Sequence, residues 1–350
     1  MRAMLLRRPA PIEERPLEPV DLPEPDPGRG EILIRVHACG VCHTDLHTVE
    51  GELPPHRSPV VPGHQIVGEV VDAGSGVGEH ETGDRVGVPW LHKACGRCRF
   101  CARGDENLCE NALFTGYDVD GGFAEYVTAP AAFAYRLPDD IDDVGAAPLL
   151  CAGIIGYRCL RLSGIGGGGA DLERVGGGAQ RRRLGLYGFG AAAHICLQIA
   201  RAREVETYVF TRSEEHRILA RSLGAVWAGA ADDDPGDDPG VRLDAAIVFA
   251  PVGRLVIDAL KVLDKGGTVA LGGIYSSPIP EMKYPLIYHE RVVRSVANST
   301  RQDARELLRL AGEIPIVTET EVFELEEANE ALLALKQSRI NGAGVLRVSG

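Results

Sequence analysis

The sequence predicts an α/β chain in two parts, a mostly-β domain and a doubly wound parallel sheet. Three observations carry that prediction. From residue 184 onward, short apolar strands alternate with helix-like segments at 184–187, 194–201, 207–210, 214–223, 245–249, 255–263 and 268–271. Strands spaced by helices of this length form βαβ units, whose strands run parallel. The first 150 residues lack that rhythm and show strand-like runs broken by Gly, Pro and Asp clusters. Finally, a chain of 350 residues is long enough for about two domains.

Taken in order, residues 1–35 read as short strands broken by a proline-rich loop at 16–27. The run Glu31-Ile32-Leu33-Ile34-Arg35-Val36 alternates as a half-buried strand does. Further strands are expected at 66–71, 85–88 and 123–127. A segment with eight glycines between residues 164 and 178 reads as a loop, because glycine that dense cannot hold an element together. The acidic stretch 232–240 reads as a solvated turn.

Composition excludes several roles. A net charge of -13 argues against nucleic acid as a partner, since phosphate binding needs a basic face. No apolar run approaches the ~20 residues that span a bilayer, and the apolar stretch after Met1 is too short for a signal peptide. No membrane partner is expected, and the cytoplasm is the expected location. There a disulfide framework is not expected, so nine cysteines point to metal ligation.

The densest chemistry is Cys39-Gly40-Val41-Cys42-His43-Thr44-Asp45-Leu46-His47. A buried core does not select thiol, hydroxyl, carboxylate and imidazole together, because each polar group needs a partner. A metal site that moves protons does. Cys95-x2-Cys98-x2-Cys101-x7-Cys109 has the spacing of a closed tetrahedral zinc site, and its long last gap departs from the iron–sulfur pattern. Cys42, His64 and Cys151 are individually weak signals. Together they would make a three-ligand zinc with an open position; Cys39 and Cys42 alone would read as a redox pair lacking its usual βαβ context.

The stretch from Leu184 to His194 is a strand, then Gly188-x-Gly190-x-x-Ala193, then a helix start. Gly188 suits the tight turn, Gly190 lets backbone approach a pyrophosphate, and Ala193 lets helix pack closely on strand, which reads as a Rossmann dinucleotide site. After the next strand an NAD site would place an acid for the ribose 2′-hydroxyl. This chain offers Thr211-Arg212-Ser213, so NADP is expected ahead of NAD.

Together these residues resemble the zinc-dependent alcohol dehydrogenases of the medium-chain dehydrogenase/reductase superfamily. The resemblance implies a GroES-like catalytic domain built from 1–151 and 297–350, with a Rossmann domain at 152–296. It implies two zinc ions per chain: a catalytic one on Cys42, His64 and Cys151, and a structural one on Cys95, Cys98, Cys101 and Cys109. Thr44 resembles the hydroxyl that takes the alcohol proton, His47 the base that passes it on, and Asp45 the carboxylate that orients the zinc-bound histidine. His43 falls near the pyrophosphate, Trp90 narrows the substrate pocket, and Ile155 stands where relatives often place a threonine against the nicotinamide. Gln65 and Ala343 depart from the family's usual Glu and Arg. The implied activity is hydride transfer between a small aliphatic or aromatic primary alcohol or aldehyde and NAD(P), an EC 1.1.1.- reaction with zinc as Lewis acid. A polyol or sugar dehydrogenase of the same fold, or a zinc-binding homologue impaired in catalysis, are the alternatives. Relatives form homodimers or homotetramers.

Overall fold

The computed structural model describes residues 1–53, 56–165, 182–231 and 241–349. The 164–178 glycine segment, apart from 164 and 165, and the 232–240 acidic stretch lie outside them. The chain divides into two compact units, Met1–Cys151 with Asn298–Gly350, and Ala152–Ala297.

The first unit opens with β1 (Arg2–Leu6) and β2 (Leu17–Asp21), an antiparallel pair in register Arg2↔Asp21. The expected proline-rich loop at 16–27 therefore contains a strand. Pro19 stands opposite Met4, whose N–H turns away from β2 to Phe123 O at 2.8 Å, so the proline costs no ladder bond. Next comes β3 (Glu31–Val41), which pairs with three neighbours. Its inward residues Ile32, Ile34, Val36 and Cys39 are fully buried. Behind it follow α1 (His43–Glu50), β4 (Gln65–Ala73), β5 (Arg85–Val88), the short pair β6 (Leu91–Lys93) and β7 (Leu113–Phe114), β8 (Tyr126–Pro130) and β9 (Tyr135–Arg136). The strand expected at 123–127 begins at Tyr126, because Phe123 turns inward as a buried plug and Ala124 makes only an isolated bridge to Ala3. Burying a side chain of that size contributes roughly 2–3 kcal/mol. α2 (Asp143–Ala146) is anchored where Asp143 accepts from His37 Nδ1 at 2.8 Å and Arg85 Nε at 2.6 Å.

The second unit begins with α3 (Ala152–Leu162) and continues β10 (Arg183–Tyr187), α4 (Ala191–Ala202), β11 (Glu206–Phe210), α5 (Glu214–Leu223), β12 (Trp227–Gly229), β13 (Leu243–Val248), α6 (Arg254–Val262), β14 (Leu263–Leu271) and β15 (Val292–Ser295). All its pairings are parallel, in the order β12-β11-β10-β13-β14-β15. The order reverses between β10 and β13, and in such sheets ligands bind beyond the carboxyl ends of the strands at the reversal. α5 keeps the bounds its sequence signals: Ser213 Oγ accepts from His216 N–H, two glutamates open it, Arg221 closes it and Gly224 caps it at φ 106°. Leu263, read as the end of a helix, instead starts β14; a buried leucine at a junction fits either periodicity.

The chain then returns to the first unit through α7 (Arg301–Glu313), β16 (Thr320–Glu324), α8 (Ala328–Lys336) and β17 (Ala343–Arg347). β17 pairs antiparallel with β3, Leu346 opposite Cys39, and completes the order β16-β17-β3-β4-β5-β9 with β8 also on β3. Arg301 begins α7 and grips Glu106 of the cysteine loop through Nε at 2.9 Å and a second nitrogen at 2.8 Å, over the Phe133 ring. The two sequence segments of this unit are thus joined at the cysteine loop as well as along β3.

Candidate active site

β3 delivers Cys42 to the start of α1. Cys42 is extended at φ -141° and caps the helix in a capping box with Asp45: Cys42 Sγ accepts the Thr44 N–H at 3.3 Å, and Asp45 Oδ2 accepts the Cys42 N–H at 3.0 Å. The other Asp45 oxygen accepts from Gly63 N–H at 3.2 Å and from His64 Nδ1 at 2.9 Å. A carboxylate can only accept, so the His64 proton sits on Nδ1 and its Nε2 lone pair points out of the pair. That Nε2 lies 3.3 Å from Cys42 Sγ. Cys151, at the end of the turn before α3, brings its sulfur into the same group, with all three donor atoms within 4.8 Å of one another.

Two tetrahedral ligands on zinc, one sulfur and one nitrogen, stand about 3.5 Å apart. The observed spacing suits a shared ion, and three donors leave one position open. Asp45 is 2% exposed and His64 is fully buried. Burial presses His64 towards neutrality, while the Asp45 carboxylate presses the other way and favours positive charge at that point. Gly63 positions the histidine at φ 98°, and a Cβ there would lie 2.4 Å from the Phe123 ring, so no other residue fits. Cys39 takes no part in the donor group. It is buried in β3 between Gly63 and Gly122, and burial pushes its thiol well up.

The second donor group is Cys95, Cys98, Cys101 and Cys109, again within 4.8 Å. Cys98 and Cys101 sulfurs are 3.5 Å apart and Cys95 and Cys101 3.9 Å, around the ~3.8 Å of two sulfurs on one zinc. Backbone N–H groups of Cys95 and Asn111 point at Cys109 Sγ, and that of Cys98 at Cys95 Sγ. Such donors favour thiolate: the N–H groups of Arg97 and Cys98 pull Cys95 down to about 6, while burial pushes Cys101 up to about 12. Four sulfurs would fill all four positions of a zinc held there, which would brace the loop and leave no place for substrate.

Trp90 lies edge-on to His64, with ring centroids 4.9 Å apart. It stacks on Phe114 at 5.1 Å and tilts against Tyr117 at 5.8 Å. Sequence reasoning found Trp90 but missed Phe114 and Tyr117. They follow the cysteine loop with no periodicity, and only the β6–β7 pairing brings them back to the histidine. The remaining residues of the first motif lie on α1, Thr44 and His47 three positions apart and therefore on adjoining parts of one helix face. His43 is exposed, its ring 6.3 Å from that of His47. His47 Nδ1 pairs with Glu52, a residue with no motif signal.

In the second unit, Gly188 turns off β10 at φ 88°, its N–H bonded to Phe210 O at 2.8 Å. Among the described residues, a Cβ on Gly190 would meet nothing within 4 Å, and no side chain caps the first turn of α4. Open space beside uncapped N–H groups fits a pyrophosphate. Ala193 is fully buried under that turn. Beyond β11, Thr211 is buried and Arg212 exposed, and Arg217 steadies the turn through Nε to Thr211 O at 3.0 Å. Ile155 is half-buried on α3, and Ala343 is buried at the start of β17.

Among the described residues, no single helix is long and apolar enough to cross a membrane. Residues 28–139 match the family model of the alcohol dehydrogenase GroES-like domain, and 192–313 that of zinc-binding dehydrogenases. The chain is 48% identical to a probable alcohol dehydrogenase AdhA of Mycobacterium tuberculosis (strain CDC 1551 / Oshkosh), over 99% of this chain and 97% of that one. It is 36% identical to an alcohol dehydrogenase of Geobacillus stearothermophilus, over 96% of each. A solved cinnamyl alcohol dehydrogenase from Sorghum bicolor superposes with a TM-score of 0.87 at 27% identity, covering 99% of this chain and 97% of that chain. With relatedness spanning both units, the chain belongs to the zinc-dependent alcohol dehydrogenases of the medium-chain dehydrogenase/reductase superfamily.

Proposed function

We propose that this alcohol dehydrogenase interconverts small aliphatic or aromatic primary alcohols and their aldehydes, with two zinc ions per chain and NADP(H) as the favoured hydride carrier. The observation that carries the reading is the convergence of Cys42, His64 and Cys151 on one point, with Asp45 fixing the histidine. A zinc held there supplies a Lewis acid that lowers the pKa of a coordinated hydroxyl. A nicotinamide at the Rossmann turn supplies the hydride acceptor.

The chain's own residues then have separate tasks. Thr44 Oγ1 receives the proton leaving the substrate hydroxyl and hands it on, since a hydroxyl cannot store it. His47 accepts it, because an imidazole exchanges protons near neutral pH. Trp90, Phe114 and Tyr117 give the His64 side an apolar, aromatic wall. Such a wall favours aliphatic and aromatic alcohols over polyols, whose hydroxyls would lose water there without gaining partners. His43 is assigned to the pyrophosphate, and Ile155 to packing against the nicotinamide. The cysteine loop braces the first unit.

Metal analysis after exhaustive dialysis is expected to give two zinc per chain, and a nicotinamide absorbance assay to show turnover of short primary alcohols. One zinc or none would refute the two-site reading; turnover confined to polyols would refute the substrate class. For the cofactor, Arg212→Asp removes a charge-assisted contact with a 2′-phosphate and adds repulsion. The NADP-to-NAD ratio of kcat/KM is expected to fall by roughly 10- to 100-fold. An unchanged ratio would show that the phosphate is read elsewhere.

A further inference from the structure

α1 ends at Gly51, left-handed at φ 78°, whose N–H bonds Thr48 O. The turn reverses the chain so that Leu53 N–H reaches His47 O at 3.2 Å. Between these two anchors, Glu52 is laid beside the His47 ring and its carboxylate meets Nδ1. The pair runs from inside to outside: the His47 side chain is 13% exposed and that of Glu52 50%. The neighbouring acid is occupied differently. Glu50 accepts from Ile12 N–H at 3.0 Å and Lys336 Nζ at 2.8 Å, and Lys336 also holds Glu13. Asp45 is spent on Cys42, Gly63 and His64.

We propose that Glu52 is a positioning residue of the proton relay, holding the His47 proton on Nδ1 so that Nε2 carries the lone pair that receives a proton from the Thr44 side. This rests on the relay described above. The reasoning is that of any base oriented by a carboxylate: an ionised Glu accepts but cannot donate, so the ring atom facing it must bear hydrogen. When Nε2 gains its proton, the ring becomes an imidazolium with both nitrogens protonated, still donating from Nδ1 to Glu52. The imidazolium then gives one proton to water, and because the neutral ring keeps hydrogen on the nitrogen facing Glu52, Nε2 is again the bare one. His43 at 6.3 Å opposes the charged form when it is itself protonated. Lys336, Glu13 and Glu50, contributed by α8, the turn at Ile12–Glu14 and the end of α1, form their own ion-paired group.

The test uses zinc-loaded protein labelled with 15N-histidine, with His47 assigned by loss of its signals in His47→Gln. The wild-type spectrum is expected to show the Nδ1–H tautomer. Glu52→Gln keeps an acceptor oxygen, so the Nδ1–H tautomer should persist. Glu52→Ala removes the acceptor, so Nε2–H should become populated. kcat for alcohol oxidation should fall in Glu52→Ala and recover in Glu52→Gln, with KM nearly unchanged. The wild-type tautomer retained in Glu52→Ala would overturn the proposal while leaving the dehydrogenase reading intact. Absence of alcohol turnover in the wild type would instead overturn that reading.

Discussion

The Cys42→Ala protein is expected to carry one zinc per chain and to oxidise alcohols at least about 10³-fold more slowly than wild type. The substitution removes one of the three donors proposed to hold the zinc, and the nearby Asp45 is already committed to Cys42 N–H, Gly63 and His64. Lewis-acid stabilisation of developing charge amounts to several kcal/mol, and each ~1.4 kcal/mol is tenfold in rate. The same substitution removes the sulfur that caps α1 at Thr44 N–H, which costs about 1 kcal/mol. That is small against the buried sheet behind it, so the protein should still fold and melt within several degrees of wild type. Zinc analysis and kcat/KM on the same preparation check it. Two zincs retained, or a near-normal rate, would remove Cys42 from the catalytic site.

What the sequence made legible depended on whether the needed partners were local. The four clustered cysteines sit in fifteen residues, and their donor group forms within one loop. The Gly188-x-Gly190 turn and α5 carry their own start and stop signals, so their places follow from short-range chemistry. Cys42, His64 and Cys151 were weak one by one because what joins them is the pairing of β3 with β4 and the approach of the turn before α3. Family resemblance supplied the grouping that spacing alone left open. The aromatic wall of Phe114 and Tyr117 had no local signature, nor did the Arg301–Glu106 grip between residues nearly two hundred positions apart. β2 was hidden for the opposite reason: Pro19 is a strong local signal against a strand, overruled because its partner Met4 turns its N–H away to Phe123 O.

Thr44→Ala is expected to lower kcat for alcohol oxidation by about 10²-fold or more while zinc content and cofactor affinity stay nearly unchanged. The separation follows from which atoms Thr44 uses. What it gives Cys42 Sγ is a backbone N–H, and its carbonyl accepts the Thr48 hydroxyl at 2.9 Å; alanine keeps both. Alanine is also at least as good a helix former, so α1 and its capping box should persist. Only the side-chain hydroxyl is lost, and with it the first step of the proposed relay to His47. Thr44→Ser restores that hydroxyl without the methyl group and should recover activity to within several-fold of wild type. A structural role for Thr44 predicts a different pattern, with zinc lost and serine no better than alanine. Full activity in the alanine variant would take Thr44 out of the relay.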